Sequence, residues 1–232
     1  MNKQLYSWIP NAITLCNVMT GFLALTFALN GDFKTTFLLV ILAAIFDFCD
    51  GLAARTLNAY SNIGKDLDSL ADMISFGAVP TAIMYTLLSG SDIPELKYLA
   101  LLIVALSALR LAIFNNDESQ SSEFRGLPTP ASALFFVSYA ISASHLPVYA
   151  HVITVVSIST LLVANVRMFS FKFKSLGFKD NSVRYIFLLG AIALSLYLAL
   201  ALDGGGYIIP ACVILLYIFT SILYSFCPKS KR

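Results

Sequence analysis

The sequence predicts an all-α protein threaded repeatedly through a membrane, and three observations predict it. Hydrophobic residues make up 58% of the chain against 12% charged, and the mean hydropathy is +0.80, far beyond the usage of a water-soluble domain. The apolar residues gather in runs of about 20, the length a helix needs to cross hydrocarbon. Short polar breaks divide the runs, among them Asn30-Gly31-Asp32, Ser91-Asp92-Ile93-Pro94 and Asp203-Gly204-Gly205-Gly206.

Taken in order, the runs predict eight helices, at about 11–29, 33–57, 66–89, 96–115, 128–145, 148–166, 183–202 and 207–226. The first reads as a retained span and not a cleaved leader, because a single positive charge precedes it and further spans follow. It opens Ile9-Pro10-Asn11-Ala12-Ile13-Thr14, where Pro-Asn suits a helix start. The fifth and sixth are divided only by residues 145–147, and a single broken segment is the alternative there. No soluble domain fits between the runs, so residues 1–232 are expected to form one integral membrane domain, a core at about 9–166 followed by a final pair at about 183–226.

The basic residues orient this bundle. With the N-terminus inside, Lys3, Arg55, Lys65, Arg125, Arg167, Lys172, Lys174, Lys179, Arg184, Lys229, Lys231 and Arg232 fall on the cytoplasmic side, and Lys34 and Lys97 outside. Both termini are therefore expected in the cytoplasm, which requires an even number of spans. A net charge of +2 is too small to suggest nucleic acid as a partner. Cys16, Cys49, Cys212 and Cys227 lack C-x2-C spacing and read as packing residues, neither zinc ligands nor a disulfide framework. His145 and His151 fall at the opposite, outer boundary and read as interfacial polar residues.

Four acids stand out against this background. Asp47, Asp50, Asp68 and Asp72 lie in or beside spanning runs, where an unpaired carboxylate is expensive. Asp47, Asp50, Gly51 and Ala54 fall at i, i+3, i+4 and i+7, and Asp68 and Asp72 at i and i+4, so each set occupies one face of its helix. Oxygen ligands converging without His or Cys suit Mg²⁺ or Mn²⁺ rather than zinc. The expected helix ends put Asp47 about 15 Å and Asp72 about 9 Å from the cytoplasmic side, within reach of both a lipid headgroup and a soluble molecule. Gly51 and Ala54 leave room for a ligand to approach the backbone, or serve helix packing. Arg55 is a topology anchor or a phosphate ligand, and Gly64 a turn residue or a ligand contact.

The same residues spell D-x2-D-G-x2-A-R-x8-G-x3-D-x3-D, filled by Asp47, Asp50, Gly51, Ala54, Arg55, Gly64, Asp68 and Asp72. This resembles the signature of the CDP-alcohol phosphatidyltransferases, membrane enzymes that move a phosphatidyl group from a CDP-linked lipid onto an alcohol. The resemblance implies a site holding two divalent ions, Mg²⁺ or Mn²⁺, on Asp47, Asp50, Asp68 and Asp72, with Asp72 also the base for the attacking hydroxyl. It implies CDP contacts at Gly51, Ala54, Arg55 and Gly64, and, through the P-N-x-x-T opening of the first helix, at Asn11 and Thr14. It also implies a homodimer in the inner cell membrane with its active site facing the cytoplasm.

Two further stretches, Leu109-Arg110-Leu111-Ala112-Ile113-Phe114-Asn115 and Phe124-Arg125-Gly126-Leu127-Pro128-Thr129-Pro130-Ala131, are similar to the phosphatidylserine synthase branch of that family. A basic residue is common in that branch where this chain has Ile113. The branch implies CDP-diacylglycerol and L-serine as substrates, among membrane lipids. Arg110, one turn inside the membrane, is the cation best placed for an acceptor carboxylate or a phosphate, or it snorkels to the interface. Asn115, Arg125 and Thr129 are the residues that could complete its pocket. Glycerol 3-phosphate or an inositol phosphate remains open as the acceptor, although a phosphorylated alcohol calls for more cations than these helices carry. A cation or proton transporter is the alternative of another class; it needs polar groups continuing to the outer face, and the acids stop in the cytoplasmic half.

Overall fold

The computed structural model of the chain describes residues 3–116, 124–169, 178–202 and 206–226. Lys172, Lys174, Lys229, Lys231 and Arg232, Cys227 and most of the turn at 203–206 lie outside the described residues. Each of the eight expected runs coincides with a helical unit. Helix α1 is Lys3–Leu29 and α2 is Phe33–Thr56. A continuous third unit consists of α3, Asn62–Asp72, a π-helical turn, Met73–Ala78, and α4, Val79–Ser89. A 3₁₀ stretch, Pro94–Ala100, runs into α5, Leu101–Asn116. Then come α6, Thr129–Ala143, α7, Val148–Val163, α8, Phe178–Ala201, and α9, Ile209–Phe226, entered through a 3₁₀ turn. Six of the units are long and apolar enough to span a membrane. At 15 and 16 residues, α6 and α7 rise only about 22–24 Å, short of a hydrocarbon core of about 30 Å.

The polarity of the bundle is reversed relative to a soluble protein. Phe22, Leu38, Phe48, Leu189, Leu200 and Phe219 face outward, while Asn17, Ser75, Arg110, Thr129 and Ser132 are buried. In lipid, apolar surface gains nothing by hiding, so small residues and interhelical hydrogen bonds decide the packing. Ser75 Oγ donates to Asn17 Oδ1 at 2.7 Å, joining the π turn to α1. Bonds of this kind between membrane helices contribute about 0.6 kcal/mol on average. The His151 ring is buried against the Tyr139 hydroxyl, with Nδ1 and Oη 2.9 Å apart, so this histidine joins α6 to α7 and does not face the interface as expected. Cys16, Cys49 and Cys212 are free thiols, half-buried among neighbouring helices.

Three helix starts differ from expectation, one of them that of α8, which begins at Phe178 and not 183 and is kinked at Asn181 (φ −124°). Helix α1 begins at Lys3, leaving Pro10 inside it and not at its first turn. Residues 3–9 contain no breaker, and Pro10 removes only one backbone donor. Exposed Trp8 stands near this end, as an aromatic residue at a membrane boundary does. Helix α3 begins at Asn62 and not at 66, because Ser61 caps it by accepting from the Gly64 N–H at 2.9 Å. Gly64 is therefore a first-turn residue. The earlier start also sets Asp72 about 15 Å from its helix end instead of about 9 Å, level with Asp47 at about 14 Å.

The π turn follows directly from Asp72 and has a local cause in Pro80. A proline here withholds the N–H that would bond the Phe76 carbonyl, and its ring crowds that carbonyl. The helix widens to accommodate it, and the Val79 N–H reaches back five residues to Ile74 O. Apart from the connecting turns, the described residues are otherwise helical except for a two-residue antiparallel pairing of β1, Phe124–Arg125, with β2, Arg167–Met168. Gly126 adopts φ +75° beside this ribbon, and a Cβ there would collide with the Leu162 carbonyl. The close approach lets the Leu127 N–H donate to Leu161 O at 2.8 Å, satisfying a last-turn carbonyl of α7.

Candidate functional site

Helices α1, α2 and α3 converge on the four acids. Helices α2 and α3 form a hairpin around the short turn at 57–61, where Asn58 takes φ +50°, and α1 packs against both. One carboxylate oxygen from each of Asp47, Asp50 and Asp68 lies within 4.8 Å of the other two. Asp50 is buried, and its Oδ2 accepts a 2.6 Å hydrogen bond from the Thr14 hydroxyl, which also stands 3.0 Å from the Pro10 carbonyl. The sequence did not suggest that partner for Thr14. The Asp47 carboxyl lies against those of Asp68 and Asp72. Asp72 sits one step further in, within electrostatic range of Arg110, and its Oδ1 is buried without a hydrogen-bond partner among the described residues.

Three like charges this close repel one another unless a cation intervenes. An ion that binds oxygen at about 2.0–2.6 Å takes ligand atoms up to about 4–5 Å apart. The spacing, the absence of nitrogen or sulfur donors in the cluster and the unpartnered oxygen of Asp72 beside it all fit a hard divalent cation.

A cavity of about 420 Å³ opens beside the acids, lined by Asp47, Asp50, Asp68 and all six residues singled out for CDP: Asn11, Thr14, Gly51, Ala54, Arg55 and Gly64. The two glycines differ in what they leave room for. A Cβ on Gly51 would meet nothing closer than Arg55 Nη2 at 3.9 Å, so that position opens onto the cavity. A Cβ on Gly64 would come within 3.0 Å of Ser61 Oγ and 3.1 Å of Asn11 Oδ1, so that glycine lets α1 and α3 approach closely. Arg55 folds back along its helix, donating from Nε to Gly51 O at 2.9 Å. Tyr60, Ser61 and Lys65 also line the cavity and were not singled out from the sequence. The polar turn Asn58-Ala59-Tyr60-Ser61-Asn62 between the acid pairs was the available signal.

A second cavity, of about 210 Å³, is lined by Arg110, Ile113, Phe114, Arg125 and residues 162–165 at the end of α7. Arg110 is 8% exposed; it donates from Nη1 to Thr129 Oγ1 at 2.6 Å, and its guanidinium carbon lies 5.9 Å from the centre of the Phe114 ring. Arg110, Arg125 and Thr129 are thus brought together, and Asn115 is not. Five residues along α5 turn a side chain about 140° from Arg110. Asn115 instead donates to Ser69 Oγ at 2.8 Å, and its carbonyl accepts from the Lys65 ammonium at 2.8 Å, tying α5 to α3. Asn165 at the end of α7 is a polar lining residue that the sequence gave no reason to choose.

The profile of the CDP-alcohol phosphatidyltransferase family matches residues 7–173, which include the lining of both cavities. The chain is similar to the CDP-diacylglycerol--serine O-phosphatidyltransferase of Bacillus subtilis (strain 168), with 32% identity over 72% of this chain and 92% of the relative. It is also similar to the archaetidylserine synthase of Methanothermobacter thermautotrophicus, with 29% identity over 71% of this chain and 72% of the relative. A third relative, the CDP-diacylglycerol--serine O-phosphatidyltransferase of Helicobacter pylori (strain ATCC 700392 / 26695), shares 34% identity over 55% of each chain.

Proposed function

The chain belongs to the CDP-alcohol phosphatidyltransferase family and is an integral membrane transferase, and from that premise we propose that it moves the phosphatidyl group of CDP-diacylglycerol onto the hydroxyl of L-serine. The products are phosphatidylserine and CMP. The observation that carries this reading is the position of Asp72, in contact with the acid cluster on one side and within electrostatic range of Arg110 on the other. Serine as the acceptor is supported by the names of the relatives, which share a serine product although one carries a different lipid name. It is also supported by the smaller cavity, whose lining has two arginines and, among the described residues, no acid.

In this reading Asp47, Asp50 and Asp68, with Asp72 alongside, hold Mg²⁺ or Mn²⁺, two ions in all. Bound there, the metal would neutralise charge on the pyrophosphate. Asn11, Gly51, Ala54, Arg55 and Gly64 line the space for the CDP group. Gly51 lets it approach the backbone, and Arg55 faces its phosphates. Thr14 holds Asp50 in position. Arg110 and Arg125 attract the serine carboxylate, with Thr129 anchoring Arg110. The serine hydroxyl attacks the phosphorus that bears the diacylglycerol, a P–O bond to serine forms, and CMP leaves with the electron pair of the broken bond. Asp72 accepts the hydroxyl proton. The twelve basic residues assigned to one side support a site facing the cytoplasm, open to soluble serine, in a chain read as lying in the inner cell membrane.

Purified protein in mixed micelles with CDP-diacylglycerol and Mg²⁺ or Mn²⁺ is expected to release CMP when serine is added and to form phosphatidylserine, read by mass spectrometry. CMP release with glycerol 3-phosphate and none with serine would overturn the acceptor and leave the reaction class standing.

A further inference from the structure

Arg110 comes within electrostatic range of a residue outside the region that matches the family. Its guanidinium carries five N–H donors in a fixed fork; Nη1 is bonded to Thr129, and Nε has no hydrogen-bond partner among the described residues. Such a group keeps one position only if its surroundings leave no other. The outside residue is Tyr217 of α9, 44 positions beyond the last family-matched residue, 173. Tyr217 is 6% exposed and lies within electrostatic range of Arg110.

The Tyr217 phenol is itself tightly placed. Its hydroxyl donates to the Phe169 carbonyl at 2.9 Å, and its ring meets those of Phe169 and Phe187 edge-on, with centroids 4.9 and 5.8 Å away. With its proton committed to Phe169, the phenol oxygen can offer only lone pairs to any further neighbour. Phe169 directly follows β2, in which Arg167 pairs with Arg125. One hydroxyl on α9 thus ties down the ribbon that carries Arg125 and lies within electrostatic range of Arg110. Tyr217 lines neither cavity.

We propose that Tyr217 is a positioning residue for acceptor selection: from the last helix, it fixes the relative placement of Arg110 and Arg125 without touching substrate. This rests on the reading of the smaller cavity as the acceptor pocket. It assigns the C-terminal helix pair a part in specificity, while the acid cavity functions independently of it.

The test is steady-state kinetics of full-length protein in mixed micelles. The wild type is first offered serine, glycerol 3-phosphate and glycerol, which identifies the acceptor. Tyr217→Phe keeps the ring and its packing and removes the hydroxyl. Its KM for that acceptor is expected to rise roughly five- to tenfold, with kcat, the KM for CDP-diacylglycerol and the melting temperature close to wild type. Thr129→Val loosens the same arginine from the other side, so the two substitutions combined are expected to be non-additive in acceptor KM. An unchanged acceptor KM in Tyr217→Phe, equal rises in both KM values, or strict additivity with Thr129→Val overturns the proposal. A wild type that ignores serine and uses another alcohol overturns the serine reading instead, and Tyr217 is then judged on that alcohol.

Discussion

The larger cavity takes all its lining from two short stretches, residues 10–14 of α1 and 47–68 of the α2–α3 hairpin. The smaller one gathers Arg110 and its neighbours from α5, Arg125 from β1 and residues 162–165 from the end of α7. The first is built mainly from acids, glycines and hydroxyls at fixed helical spacing. The second is built from two arginines and Asn165 set among apolar residues. The difference suggests a division of labour: a local, rigid motif for the chemistry that every acceptor shares, and a dispersed pocket for telling one alcohol from another.

The sharpest way to break that division is to remove acids. Asp47→Asn is expected to lower turnover about a thousandfold or more with every acceptor tested, by analogy with the loss of other charge-stabilising groups. A loss confined to one acceptor would dissolve the distinction. Asp72→Asn should abolish turnover to a similar degree while leaving CDP-diacylglycerol binding, measured by calorimetry, nearly intact. A near-normal rate would remove Asp72 from the base role. On the other side of the comparison, Arg125→Gln is expected to raise the KM for the acceptor about tenfold with little change in kcat or in the KM for the lipid donor. Thr14→Val removes the 2.6 Å bond to Asp50. It should raise the metal concentration for half-maximal rate about tenfold, the usual scale for losing a group that orients a ligand, with the rate at saturating metal retained.

The smallest effect is expected at Asp32, remote from both cavities. Hydrogen bonds from Thr35 hold its carboxyl below the usual carboxylate range. Because its folded pKa is depressed, its cap on α2 is fully effective above about pH 4 and fades as pH falls through the lower folded value. Asp32→Ala should lower the melting temperature slightly at neutral pH, less so in acid, and leave both KM values unchanged.

The contrast between the cavities also explains what could be read from the chain. Asp47 through Asp72 declared themselves because eight fixed positions within 26 residues carry the pattern, and helical periodicity turns that spacing into a common face. Six of the eight helical units were legible for a similar reason, since lipid imposes length and polarity on each, while the shorter α6 and α7 showed only as apolar runs. Arg110, Arg125 and Thr129 could be named from two short stretches, but their grouping depends on how α5, β1 and α6 dock. Asn115 does not join that group, since helical geometry turns it away from Arg110 toward Ser69. Tyr217 gave no signal at all, lying in an ordinary apolar run. The α3 start was missed because Ser61 reads as one more polar residue of a turn until its hydroxyl is seen on the Gly64 amide.

The widened turn at Met73–Ala78 carries one residue more than a uniform spiral needs. Everything beyond it is rotated by about 100° relative to a count made from Asp68 or Asp72. A helical wheel drawn across 62–89 therefore misplaces Ile83 and Met84, both fully buried, with respect to the carboxylates. Cysteine-scanning accessibility along this segment would follow one periodicity up to Asp72 and a shifted one after Ala78, and any graft or redesign of the third span has to keep that offset to preserve both faces.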